Sequence, residues 1–275
     1  MIQNLHTHTS FCDGKNSPEE MVHAAIRLGM DSLGFSGHAP CPVPGDDAGM
    51  KPEDVPAYRA KILRLREQYA GRLEIFLGLE QDYFLFPNQE PWDYIIGSVH
   101  YVEKDCRQLP VDYLPEDFSR NVIQFYGGDY YAFAEDYYRM VGDIAERTGC
   151  QIVGHFDLVT KFNEGDKLFD TGHPRYVNAA MEALERLRAR NVIFEINTGA
   201  MSRGYRTEPY PSPALLRAMF DMGIPICVNS DSHSAGTLLY AFPQAIELAW
   251  NCGYREQMVL TWQGFQSRAL TEIRK

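Results

Sequence analysis

The stretch 224–233, IPICVNSDSH, is a short apolar run that stops on an acid and a histidine. A run of this length, rich in Ile and Val and closed by turn-type residues, reads as a buried strand. Asp231 and His233 then stand just past a strand's C-terminal end. The arrangement recurs along the chain. Apolar runs at 2–8, 31–37, 73–80, 94–99, 152–156 and 192–198 alternate with helical stretches near 18–29, 53–70, 116–148, 174–190, 212–222 and 243–252. Ser17, Pro18 and Glu20 give the first helix a cap, a first-turn proline and a reciprocating acid. Gly29, Gly149 and Gly223 mark helix stops. Strands alternating with helices call for parallel strands joined by crossovers. Seven such strands, with a long aromatic insertion after the fourth, predict one barrel-like α/β domain over 1–275.

Parallel barrel strands deliver their C-terminal ends to one face, where active sites are built. The chemistry-bearing residues fall at those ends. His38 follows the second run (GFSGHAP), Glu80 closes the third (FLGLEQDY), His100 follows the fourth (IIGSVHY) and His155 lies in the fifth (IVGHFD). At the start, NLHTHTSFCDG (4–14) sets His6 and His8 two apart, with Asp13 behind. Residues i and i+2 of a strand share a side, so the two imidazoles aim at one point. Taken singly, each of these reads as a hydrogen-bonded polar residue near the core. Six histidines together with Asp13, Glu80 and Asp231 would need that coincidence repeated. Mixed imidazole and carboxylate ligands suit zinc, manganese or iron. Nine ligands exceed one ion's capacity, so two to three divalent transition-metal ions are expected. His23, in the first helix, and His173, before Pro174, read as surface or structural residues.

Composition narrows the classes. The 275 residues are 45% hydrophobic and carry a formal net charge of −11, which argues against holding a long nucleic acid by charge. A small phosphorylated substrate remains compatible, because metal ions supply positive field locally. The six cysteines form no CxxC pair, the N-terminus lacks a signal-peptide pattern, and no run reaches the ~18 apolar residues of a membrane span. A cytoplasmic protein without membrane contact is expected; oligomeric state is not written in the sequence. There is no GxSxG elbow, GxxxxGK[ST] loop or GxGxxG turn after a strand. Cys12 and the aromatic stretch 125–138 read as packing.

The HxH start, GHAP, GLEQDY, IIGSVHY, GHFDLVTKF and EINTGA occur in this order across nearly the whole chain. In this the sequence resembles the polymerase and histidinol phosphatase (PHP) superfamily, and within it the histidinol-phosphate phosphatase branch. The resemblance implies a distorted (β/α)7, TIM-like barrel. It implies a first ion held by His6, His8, Glu80 and Asp231, and a second held by Glu80, His100 and His155. Asp13, His38 and His233 would hold a third. It also implies basic residues around the phosphate, for which NTGAMSRGYR offers Arg203 and Arg206 and DLVTKF offers Lys161, where the family often has arginine. His38 would lie beside the substrate as well. The implied reaction is hydrolysis of L-histidinol phosphate by a hydroxide held between two metals. Arg203 would steady the phosphoryl oxygens, and the leaving alkoxide would be protonated by Asp231, His233 or a metal-bound water. The alternative is a PHP-type phosphoesterase acting on other small phosphomonoesters or on nucleic-acid ends.

Overall fold

The computed structural model describes residues 1–86 and 90–271, so the expected domain end at 275 lies outside the described residues. In chain order its strands are β1 (Gln3–Asn4), β2 (Ser32–Phe35), β3 (Glu74–Asp82), β4 (Tyr94–Ser98), β5 (Tyr101–Lys104), β6 (Arg107–Pro110), β7 (Ile152–Val153), β8 (Ile193–Asn197), β9 (Ile226–Asn229), β10 (Glu256–Thr261) and β11 (Gly264–Ala269). Seven of them form one parallel sheet in the order β1-β2-β3-β4-β7-β8-β9, curled into a nearly closed barrel. Six lie within the runs read from the sequence, and β3 overruns its expected end at residue 80 by two, to Asp82. Helices α1 (Pro18–Arg27), α2 (Val55–Gln68), α3 (Pro115–Tyr126), α4 (Tyr130–Thr148), α5 (Pro174–Arg188), α6 (Gly199–Ser202), α7 (Pro213–Asp221) and α8 (Phe242–Asn251) accompany them. The fold is a distorted (β/α)7, TIM-like barrel. Among the described residues, no helix is long and apolar enough to cross a membrane.

Strand alternation explains how one chain builds both a core and a site. Along β3, Ile75, Leu77 and Leu79 pack outward in an apolar cluster with Tyr58, Ile62 and Leu65 of α2. The alternate residues Phe76, Gly78, Glu80 and Asp82 face the barrel interior. The lower interior is apolar, with Leu5, Phe76, Tyr94, Ile96, Ile152, Ile193 and Cys227 in one cluster. Tyr94 fills the middle and donates its hydroxyl to the Leu5 carbonyl. A Cβ at Gly34 or Gly78 would collide with the Tyr94 ring, so these two strands need glycine there. Above this plug the interior turns polar.

The barrel closes by side chains rather than by a ladder. Among the described residues, an isolated backbone bridge, Thr7 to Ser232, joins the first and last strand ends. Around it, Leu5 N–H donates to Asn229 Oδ1 (2.8 Å), and Asn4 Nδ2 donates to Ser230 Oγ (2.7 Å). The β1 ladder stops at Asn4 because the chain breaks alternation there: Leu5 and His6 both face inward. The regular strand expected over 2–8 is therefore interrupted, although His6 and His8 keep their shared direction.

The predicted cap of α1 is present: Ser17 N–H donates to Glu20 Oε2 (2.8 Å) and Glu20 N–H to Ser17 Oγ (3.3 Å). The helix expected over 116–148 is two helices. Gly127 (φ 61°) and Gly128 (φ 87°) take the left-handed conformation that ends α3. Asp129 then caps α4 through Tyr131 and Ala132 N–H. The aromatic stretch is core: Phe133, Tyr137 and Tyr138 are fully buried. Two hairpins were not foreseen, β5–β6 beside the upper rim and β10–β11 beneath the barrel. The second is tied on by Gln3, whose amide accepts from Leu260 N–H (2.8 Å) and donates to Leu260 O (2.9 Å).

Candidate metal centre

The nine side chains named from sequence meet at the C-terminal face of the barrel. Glu80, fully buried on the last inward positions of β3, is the hub. Its Oε2 lies 3.1 Å from His6 Nε2, 3.4 Å from His8 Nε2 and 3.0 Å from His38 Nδ1. Its Oε1 lies 3.1 Å from His155 Nε2 and 3.5 Å from His100 Nε2. The two oxygens thus serve two sets of imidazoles. Asp231 Oδ1 sits 3.2 Å from His8 Nε2 and 3.6 Å from His6 Nε2. Asp231 holds φ at +48°, a left-handed turn that an aspartate tolerates, and the chain then brings His233 back over the site. His233 Nε2 is 3.0 Å from Asp13 Oδ2. Three groups have ligand atoms within 4.8 Å of one another: His8–Asp13–His38–His233, His6–His8–Asp231 and His38–Glu80–His100. His38 belongs to two of them, between the second and third ion sets that the resemblance implies.

These residues fit metal ions. His6 Nε2, His8 Nε2 and Glu80 Oε2, which face one another at the centre, are buried without a hydrogen-bond partner. Leaving several buried polar atoms unpaired is costly, and ligation by a cation would relieve it. Electrostatics point the same way. Burial works against charging Glu80 and Asp231, yet both are held well below the usual carboxylate range, Glu80 by His6 and His38, Asp231 by Arg203 and His6. Burial likewise opposes a charge on His100, but the Asp82 hydrogen bond and Glu80 push it up to about 10. His6 is raised well above its ordinary value against burial by Glu195, Glu80 and Asp231. His8 goes the other way, to about 3, chiefly through burial and the neighbouring His233. Neutral ligands and charged ones are thus interleaved.

The centre floors a cavity of about 380 Å³ that Lys161, Arg203, Asp112 and Tyr113 also line. Arg203 donates from Nη2 to Asp231 Oδ2 (2.9 Å) and from Nη1 to the Asp231 carbonyl (3.3 Å). Gly199 permits this contact, since a Cβ there would press on both Asp231 and Arg203. Lys161 Nζ donates to the carbonyl (2.7 Å) and carboxylate (3.0 Å) of Asp112. Burial opposes the charge on Asp112, but Lys161 holds its carboxyl at about 2. Arg206 does not line the cavity. Its Nη1 donates to the carbonyl (2.9 Å) and hydroxyl (2.7 Å) of Thr160, and its Nε pairs with Glu164. It ties the loop after β8 to the turn that carries Lys161. His23 pairs with the Tyr69 hydroxyl, and His173 caps α5 through Arg175 N–H, both structural roles.

Three participants went unnamed in the sequence reading. Asp82 accepts from His100 (Nδ1 at 3.1 Å), and its signal was its place two residues after Glu80 on the same strand face. Asp112 has no local signal. Glu195, inside the apolar run VIFEINT, lies with both oxygens 2.9–3.0 Å from His6 Nδ1.

A parallel barrel with a carboxylate-bridged imidazole cluster on its C-terminal face defines a metal-dependent hydrolase. The family model for the PHP domain matches residues 4–199. A protein of Deinococcus radiodurans named "Probable histidinol-phosphatase" is 32% identical over 262 residues, covering 91% of this chain and 93% of that one. The histidinol-phosphatase of Bacillus subtilis is 29% identical over 265 residues, covering 88% and 97%. A crystal structure of histidinol phosphate phosphatase from Lactococcus lactis, complexed with zinc, L-histidinol and phosphate, superposes with a TM-score of 0.72 at 21% identity, covering 96% and 98%. The chain belongs to the PHP domain family, and within it to the histidinol-phosphatases.

Proposed function

We propose that the protein hydrolyses L-histidinol phosphate to L-histidinol and phosphate, using two to three divalent transition-metal ions (zinc, manganese or iron). The observation that carries this reading is one cavity lined by seven of the nine ligand-type side chains and by two cationic ones, Arg203 and Lys161, with His6 and His8 buried against Glu80 behind it. The substrate follows from family membership and from the names of the full-length relatives. Bound ions would supply Lewis-acid neutralisation of the phosphoryl oxygens and an activated water. His6, His8, Glu80 and Asp231 would hold one ion, Glu80, His100 and His155 a second, and Asp13, His38 and His233 a third. Arg203, anchored on Asp231, has N–H donors to spare for equatorial phosphoryl oxygens. Lys161, anchored on Asp112, faces the same space. His38 reaches the cavity and would meet the substrate as well as an ion. His233 or a metal-bound water would give the leaving alkoxide its proton, whereas Asp231, held well below the usual carboxylate range, would serve as a ligand. The reading includes one domain over 1–275 and a cytoplasmic protein, the latter in keeping with six free thiols.

A side-by-side assay tests the substrate. Phosphate release from L-histidinol phosphate should exceed that from p-nitrophenyl phosphate and from single-stranded DNA ends by at least roughly 10²-fold in kcat/KM, because polar groups that read an amine and imidazole stay unpaired with other substrates. Comparable rates on generic esters would leave an unspecific phosphomonoesterase, and faster release from DNA ends would make it a nuclease.

Arg203→Ala should lower kcat/KM by about tenfold to hundredfold, the worth of a charge-assisted contact of about 1.5–3 kcal/mol, while the metal content stays at the wild-type level. Unchanged kinetics would remove Arg203 from the phosphate site.

A further inference from the structure

Among the buried ionisable groups at the barrel face, Glu195 has no place among the nine candidate ligands. It is fully buried on the inward face of β8, one alternation above the apolar Ile193. Its two oxygens are saturated by donors. Oε1 accepts from His155 N–H (2.9 Å) and Asn197 Nδ2 (2.7 Å), Oε2 accepts from Asn229 Nδ2 (2.9 Å), and His6 Nδ1 reaches both at 2.9–3.0 Å. A carboxylate offers about four lone-pair positions, so no vacancy is left for an ion.

We propose that Glu195 is a positioning residue for the metal centre, fixing the proton of His6 on Nδ1 so that the Nε2 lone pair faces Glu80 and Asp231. The inference rests on the metal-centre reading given above. His6 Nε2 is one of the unpartnered buried atoms and points at Glu80 Oε2, while the opposite edge of the ring is clamped by Glu195. A carboxylate behind a ligating imidazole sets its tautomer and raises its basicity. Glu195 reaches further than one ligand. Through the His155 N–H it also holds the backbone of an imidazole from the second ion set. Through Asn229, whose Oδ1 accepts from Leu5 N–H, it is linked to the segment that carries His6. The acceptor-only chemistry matters because Asn197 and Asn229 both present amide donors. A glutamine at 195 would oppose an NH₂ to one of the donors.

The test is zinc affinity of metal-stripped Glu195→Gln, measured by competition with a chromophoric chelator. Ile196→Val, an outward-facing change on the same strand, serves as the structural control. The glutamine variant should bind its tightest zinc about tenfold to hundredfold more weakly, with shifted visible bands when loaded with cobalt, while the control stays at wild type. An affinity within about twofold of wild type, or a loss matched by the control, would overturn the assignment. Should the variant not fold, the unsubstituted zinc-loaded protein still decides. Nitrogen-15 NMR of its histidines should find the His6 proton on Nδ1, and a His6 ring protonated on Nε2 would refute the proposal. None of these readouts depends on which phosphoester is hydrolysed.

Discussion

Glu80→Ala should abolish catalysis, with kcat/KM down by at least roughly 10³-fold, the scale set by losing metal activation of water. Its two oxygens touch imidazoles of different sets, so on the proposed assignment the substitution would remove a ligand shared by two ions rather than one terminal ligand. Elemental analysis should find metal missing from both positions. Asp13→Ala should be milder, at roughly tenfold to hundredfold. Its carboxylate stands at the cavity rim with about a third of the side chain exposed, against none for Glu80 (34% and 0%). A Glu80 variant that keeps its full metal complement and turnover would show the hub assignment to be wrong.

Stripping the metals should silence the enzyme to a similar degree and also lower its thermal stability. Ions that bind only the folded state at ~1,000 times their dissociation constant contribute about 4 kcal/mol. At roughly 2–4 °C per kcal/mol for a chain approaching this size, the melting temperature should fall by roughly 8–16 °C. Reloading should restore both, and the uptake should be visible as acid. With its pKa pushed up to about 10, the His100 imidazole is doubly protonated at pH 7 in the metal-free protein, and the values of His6 and His233 are shifted in the same direction. A metal needs the lone pair, so zinc added in weak buffer at pH 7 should release protons, at least about one per chain from His100. The raised His100 imidazole stabilises the metal-free fold fully below its unfolded value near 6.5, and that stability drains as pH climbs towards 10. The melting temperature of the metal-free protein should therefore decline over that window. Release of no protons, or activity untouched by exhaustive chelation, would sink the metal-centre reading.

Much of this was legible in the sequence because it rests on local period and residue type. Seven apolar runs gave seven strands, and His38, Glu80, His100 and His155 stood at strand ends where a parallel barrel delivers them to one face. Relations between distant residues were not legible. Glu195 looks like any polar residue in a half-buried strand, and its meaning comes from His6, 189 residues away. The inward turn of both Leu5 and His6 depends on the Tyr94 ring and on Asn229, neither of which leaves a trace in the period of 2–8. Arg203 and Arg206 look alike in NTGAMSRGYR; only the partners, Asp231 for one and Thr160 for the other, separate them. The break in 116–148 was written as Gly127-Gly128-Asp129, a stop followed by a cap, and the aromatic periodicity across it masked the signal.

The polar seam between the first and last strands sets a clock on how the protein acquires its cofactors. Leu5 and Asn229 are 224 residues apart, and the ligands His6 and His8 meet Asp231 only across that join. At a synthesis rate of ~5–20 residues per second, His8 waits on the order of 10–45 s for Asp231 to be made. During that interval the first set of candidate ligands, His6, His8 and Glu80, lacks its last member. Contacts of such long sequence separation are among the slowest to form. On the proposed assignment, the first position should therefore fill late, on a nearly finished barrel, and a ribosome-bound chain stalled before residue 231 should hold an ion there more weakly than the released protein.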